Sequence, residues 1–338
     1  MHKLSLNKKT ILIGIGSFLI FVLVFSIALM VGKYRITFKA FFGALSGASG
    51  YEIEQSIILN LRLPRTIIAA LTGIALSVSG LLYQETFQNK LVSPDLLGVS
   101  SGSGVGAAIA IIIGLPAFAI SSFSFIFGVG TVILTLTVAK LFKNRSSVML
   151  VLAGIIVGGL ASAILSFIKY LADAETTLAS ITFWLMGSFE HSKMADVYIL
   201  APIVAICVII VLCISWRINI VALGREEAQT KGLHYNRYRF LIIGIATLLT
   251  ASSVAFSGTI GWIGLVVPHI ARLAVGRNTK RTIPLSIGFG SIFMVLTDII
   301  SRTFTASEIP ISAITGLFGT VLFIIILIIR RKTINEND

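Results

Sequence analysis

The chain has 338 residues, 56% of them hydrophobic and only 12% charged, with a mean hydropathy of +0.98. A soluble domain carries about twice that charged fraction, so a soluble fold around one core is excluded and a polytopic helical membrane protein is implied. The net charge of +13 then bears on orientation in the bilayer and does not point to nucleic acid.

A span needs about 20 apolar residues to cross roughly 30 Å of hydrocarbon. The first apolar run, Ile11 to Val31, follows Lys3, Lys8 and Lys9. It is too long for a signal-peptide core and no small-residue cleavage site follows, so it reads as a retained span. Nine more are predicted near 65–83, 95–115, 118–141, 147–170, 195–215, 240–257, 261–275, 283–301 and 311–329. Residues 261–275 are too few to be sure of crossing and predict a short helix. No low-complexity linker or clear repeat divides the chain, so residues 1–338 form one transmembrane domain. Its largest polar segment is Arg217–Arg239. With ten alternations and the first residues inside, nineteen Lys and Arg fall inside and eight outside, together the 27 of the composition. That bias predicts both termini in the cytoplasm of a bacterial cell membrane. Arg62, Arg65 and Arg302 fall outside, against the rule.

Residues 61–106 organise the chain. Arg62 and Arg65 lie three apart and share a helical face if the helix reaches back to them. Pro64 suits a first helical turn, and Ser93-Pro94-Asp95 is a second start signal with a capping hydroxyl, Pro at the first position and an acid in the positive first turn. A polar hairpin, Gln84 to Ser93, joins the two runs. Taken alone, the arginines could be no more than interfacial anchors. Gly98, Gly102 and Gly106, and again Gly154 and Gly158, recur at four-residue spacing, which lets helix backbones approach closely in lipid. The Gly102–Gly106 cluster follows no strand and lacks the dinucleotide-loop spacing.

Chemistry-bearing motifs are absent. There is no Gly-x-x-x-x-Gly-Lys-Ser/Thr loop, no His-Glu-x-x-His and no Cys-x-x-Cys. Cys207 and Cys213 lie in one apolar run and read as fillers. Four dispersed histidines suggest no metal site. Asp298 is the one clear acid within a span and is a functional suspect for that reason. Arg302 stands one helical turn on, so a structural ion pair and a transport role both remain open. No cofactor, metal or catalytic group is implied.

The stretch Arg62-Leu63-Pro64-Arg65, Gly73, Ser79-Gly80, Gln84, Asn89, Leu91, Pro94 and Leu97-Gly98-Val99-Ser100-Ser101-Gly102 resembles the FecCD-type permeases. These are membrane subunits of ABC importers for ferric siderophores, haem and cobalamin. Phe256 to Arg272, reading Phe-Ser-Gly-Thr-Ile-Gly-Trp-Ile-Gly-Leu-Val-Val-Pro-His-Ile-Ala-Arg, is similar to the family's second signature. Ala222 to Leu233 is similar to the Glu-Ala-Ala-x-x-x-Gly coupling loop of ABC permeases. Ile309-Pro310-Ile311 and 316–323 also fit, so the resemblance runs from about Leu61 to Arg331. Three residues depart from the pattern: Lys90 replaces a Pro, Trp262 a Phe and Glu227 an Ala.

The resemblance implies an all-α permease of about ten transmembrane helices with the type II importer fold. It implies a second permease subunit, identical or homologous, two ATPase subunits that hydrolyse ATP, and an external substrate-binding protein. Arg62, Arg65 and Arg302 would form an external basic patch for the binding protein. Asn89, Leu91, Ser146 and Ser147 would form a cytoplasmic gate. Arg225, Glu226, Glu227, Ala228 and Gly232 would contact the ATPase, although a plain solvated loop also fits a polar segment of this length. Ferric siderophore is the first expectation for substrate, then haem and cobalamin. The rivals are an ion-coupled secondary transporter and a membrane enzyme.

Overall fold

The computed structural model describes residues 2–142 and 147–335, with side chains described from 8 to 142 and from 147 to 329. Every regular element among the described residues is helical. In chain order they are α1 (His2–Met30), α2 (Phe38–Leu45), α3 (Glu52–Ser56), α4 (Leu63–Thr86), α5 (Val99–Ile112), α6 (Ala117–Leu141), α7 (Ser147–Leu171) and α8 (Thr177–Met186). Then follow α9 (Met194–Cys213), α10 (Ser215–Val221), α11 (Arg225–Thr230), α12 (Tyr235–Ser257), α13 (Ile263–Val275), α14 (Thr279–Thr303) and α15 (Ile311–Asn335).

Eight helices among the described residues are long and apolar enough to span, and α5, α8 and α13 are shorter apolar helices. Nine of the ten predicted spans correspond to a helix, although α1 and α12 begin nine and five residues earlier than expected. The tenth, 95–115, is broken. A 3-10 turn, Pro94–Leu97, ends at Gly98 in the left-handed region, φ +79°, and α5 begins after it. Asp95 Oδ1 accepts from the Ser100 N–H at 2.8 Å, so the acid caps α5 from outside it. Pro64 stands in the first turn of α4, as its sequence suggested, although helical backbone already precedes it. The chain enters α4 from α3 through a π turn, Ile57–Arg62, in which Leu63 N–H reaches back five residues to Ile58 C=O. A proline inside a helix clashes with the carbonyl four residues back, and the wider turn absorbs that clash. The helix α8 was not predicted; its ten residues are too short to read as a span.

Helix α4 is the axis of the bundle. Of its most apolar window, 83% is buried, against 17% for α1 and α6. It lies antiparallel to α14 in a continuous register, in which Arg65 meets Asp298, Gly73 meets Gly290 and Ser77 Oγ donates to Ser286 C=O. A Cβ on Gly80 would stand 1.9 Å from Gly264 C=O, so α13 crosses α4 with backbones in contact. The predicted glycine seams recur: a Cβ on Gly102 or Gly106 would run into Thr131 or Phe123 of α6, and one on Gly154 into Leu96 C=O.

Helix α13 has 13 residues, about 20 Å at 1.5 Å per residue, and so falls short of a bilayer. Its first turn lies beside Gly80, and Arg272 in its last turn beside Gln84 and Glu85. The loop 258–262 that feeds it is closed by protein contacts. Thr259 Oγ1 donates to Leu185 C=O, and Ser188 N–H to Ser257 C=O. Irregular backbone at membrane depth is tolerated when protein satisfies it in this way.

Candidate functional site

Helix α4 carries a buried ion cluster at each end. Arg65 and Glu85 are twenty residues apart, about 30 Å along the helix axis, which matches the thickness of a bilayer core. The helix therefore places one charge cluster near each membrane face.

At the first end, Arg65 Nε donates to Asp298 Oδ1 at 2.7 Å. Its two terminal nitrogens grip Glu308 in a bidentate fork, at 2.6 and 2.9 Å. Arg302 Nε stands 3.4 Å from Asp298 Oδ2, one turn along α14. Its Nη2 donates to Ala28 C=O at 2.6 Å. Arg62 donates to Leu29 C=O at 2.9 Å, to Met30 C=O at 2.6 Å and to Tyr34 C=O. Two guanidinium groups thus satisfy the open carbonyls at the negative end of α1.

Arg62, Arg65 and Arg302 do gather at one end, but their exposures are only 5%, 8% and 5%, and their donors are turned inward. Glu308 was missed. It sits 243 residues from Arg65, directly before Ile309-Pro310-Ile311, and nothing in that local pattern says that its partner is an arginine on α4.

The opposite end holds the hairpin between α4 and the 3-10 turn. Asn89 and Leu91 are exposed at its tip, and the Leu91 N–H donates to Asn89 Oδ1 at 2.9 Å. Beneath them Glu85 is buried between two cations, Lys90 Nζ at 2.6 Å and Arg272 Nη2 at 3.2 Å. Arg272 Nη2 also donates to Gln84 Oε1 at 2.5 Å, and Gln84 Nε2 donates to Gly264 C=O and Val92 C=O. Burial pushes the Lys90 ammonium below its ordinary value, against the pull of Glu85. Lys90 is thus the half-buried member of a three-charge cluster that pins the hairpin to α4 and α13.

Ser147 opens α7 and accepts from Arg239 Nη2 at 3.2 Å; Ser146 lies outside the described residues. Helix α11 exposes Arg225, Glu226 and Glu227 and buries Ala228 completely. Gly224 and Gly232 bracket it with φ of +113° and +72°, values that favour glycine. The hairpin touches this segment: Gln88 Nε2 donates to Ala222 C=O at 3.4 Å. Among the described residues no group of His, Cys, Asp and Glu could hold a metal ion.

Residues 19–330 match the model of the FecCD transport family. The chain belongs to the FecCD transport family. Its relatives in that family include the molybdate import system permease protein MolB of Haemophilus influenzae. That protein is 36% identical over 95% of this chain and 97% of its own length. An iron chelatin transport system permease of Helicobacter pylori is 35% identical over 81% of this chain and 83% of its own. The cobalamin import system permease BtuC of Halobacterium salinarum is 33% identical over 82% and 74%. Among solved structures, one described as a metal-chelate type ABC transporter in an inward-facing conformation superposes with a TM-score of 0.85. It is 36% identical and covers 93% of this chain and 98% of its own. The chain is therefore an ABC importer permease with the fold expected from its sequence. A FecCD permease is a transport subunit, and its buried clusters hold helices together at the two membrane faces.

Proposed function

We propose that this FecCD permease passes a metal-containing solute from an external binding protein to the cytoplasm, driven by ATP hydrolysis on partner subunits. The observation that carries this reading is helix α11. It presents Arg225, Glu226 and Glu227 to solvent while buried Ala228 anchors it to the bundle. A purely solvated loop would need no such anchor. The residues Asn89, Leu91 and Ser147 narrow the path at the same end, which faces the cytoplasm; the expectation for Ser146 lies outside the described residues. The opposite end receives the binding protein. There Arg62, Arg65 and Arg302 shape the surface by holding α1, α4 and α14 together.

An ion-coupled carrier fits less well. Coupling needs a carboxylate free to exchange its ion, whereas Asp298 and Glu85 each meet two cations. For the substrate, an iron chelate is the first reading, supported by the relatives described as iron chelatin permeases and as a metal-chelate transporter. Molybdate is the second, because the molybdate permease matches almost end to end.

The test uses the binding protein that works with this permease. Calorimetric titration with a ferric siderophore and with molybdate should give tight binding for one of them. Binding of neither would overturn both substrate readings. Co-purification of the permease with its ATPase tests the importer reading separately, and failure to co-purify would contradict it.

A further inference from the structure

Arg239 is buried, 4% exposed, in the first turns of α12. No motif singles it out. Its guanidinium lies over the Phe87 ring at 6.0 Å and over the Tyr235 ring at 5.9 Å, and it donates to Ser147 Oγ at 3.2 Å. These contacts join the start of its own helix to two other pieces of the chain. Phe87 begins the hairpin that carries Asn89 and Leu91. Ser147 opens α7. Tyr235 starts α12, directly after the loop that leaves α11.

The neighbouring contacts converge on the same place. Gln88 donates to Ala222 C=O just before α11, and a Cβ on Gly224 would stand 2.8 Å from Gln88 Nε2. Arg217 of α10 stacks over the Tyr238 ring at 5.4 Å, which ties α10 to α12. The segment around α11 therefore meets the hairpin directly through Gln88, and α12, which follows it, meets the hairpin and α7 through Arg239.

We propose that Arg239 is a positioning residue that transmits displacement of the α11 segment to the hairpin and to the start of α7. The inference rests on the gate and coupling assignments made above. A planar cation suits this role. It can slide across two aromatic faces while staying attracted to both, whereas an apolar wedge would lock. A hydroxyl acceptor on α7 completes the link. A shift of α11 moves Tyr235 through the intervening loop, and the guanidinium carries the movement to Phe87 and Ser147.

The experiment uses the complete complex of permease, ATPase and binding protein in proteoliposomes. Its readout is solute imported per ATP hydrolysed. Arg239→Ala should assemble and hydrolyse ATP at the basal rate, with import per ATP reduced about tenfold or more. Arg239→Lys keeps the charge and loses the flat stack, so it should recover part of the ratio. Phe87→Leu should lower the ratio too, and the Phe87→Leu, Arg239→Lys double variant should lower it less than the product of the two single effects. Import per ATP equal to wild type in assembled Arg239→Ala overturns the proposal. So does loss of assembly in both Arg239 variants, which would assign the residue to folding alone. Wild-type complex that imports nothing with ATP would instead refute the importer reading on which the proposal stands.

Discussion

Arg65 illustrates how charge is managed at a membrane face in this protein. A guanidinium with 8% exposure is costly in a low-dielectric setting unless its donors are matched by acceptors. Asp298 and Glu308 supply that match, and Asp298 also answers Arg302. Asp298→Asn leaves two buried cations facing a neutral amide, and the expected loss of stability is about 3–5 kcal/mol. Thermal unfolding of the purified variant in detergent checks this; a midpoint equal to wild type would contradict the account. The Asp298–Arg302 pair was legible in the sequence, since four-residue spacing on a helix brings side chains together. Glu308 and the α1 carbonyls were not legible, because those contacts join residues 28 to 274 positions apart. Lys90 was visible as a departure from the family's proline, and its role was not. The structure assigns it to Glu85, five residues back at the end of α4. Substituting Lys90→Met removes one of the two cations on Glu85, and the expected result is faster amide hydrogen exchange across 87–92, with the helix core of α4 unchanged. Equal protection in the variant would show that Gln84 and Arg272 hold the hairpin without Lys90.

At the scale of elements, hydrophobic length carried most of the information. Long apolar runs must become helices in lipid, because no other open structure satisfies the backbone there. That constraint explains why nine of ten predicted runs match a helix, and why the errors fall where composition is silent. Gly98 breaks the 95–115 run through its backbone angle, which hydropathy does not encode. Helices α8 and α13 are too short to stand out in hydropathy, and the loops that follow the one and precede the other are tied together through Thr259 and Ser188. Small residues, rather than apolar bulk, set the spacing between helices. Gly80 lets α4 touch Gly264 of α13, and a Cβ there would lie 1.9 Å from a carbonyl oxygen that cannot swing away. Gly80→Ala is expected to cost at least about 1–3 kcal/mol, since the helices must part. Gly244→Ala, where a Cβ meets nothing within 4 Å, is the matched control. A Gly80→Ala midpoint no lower than the control would contradict the close-contact account.

For the whole molecule, the two faces divide the work. One face closes its charges inward around α1, α4 and α14. The other exposes α11 beside a hairpin and the start of α7, with Arg239 between them. The family was readable from dispersed motifs in order. The internal wiring of each face was not, because it depends on contacts between elements far apart in sequence. If α11 is where the ATPases grip, Glu226→Lys with Glu227→Lys should abolish co-purification of the ATPase or cut coupled hydrolysis at least tenfold. The fold should survive, because both side chains point to solvent. Unchanged hydrolysis in a well-folded double variant would return this segment to a solvated loop.

Under the proposed function, this permease moves solute only when partner subunits hydrolyse ATP. The most direct measurement is uptake of the binding protein's own ligand into proteoliposomes holding the permease, loaded with the ATPase and either ATP or a non-hydrolysable analogue. Accumulation is expected with ATP, none with the analogue, and none for the permease alone with a proton or sodium gradient. Accumulation driven by an ion gradient in the absence of ATP would contradict it.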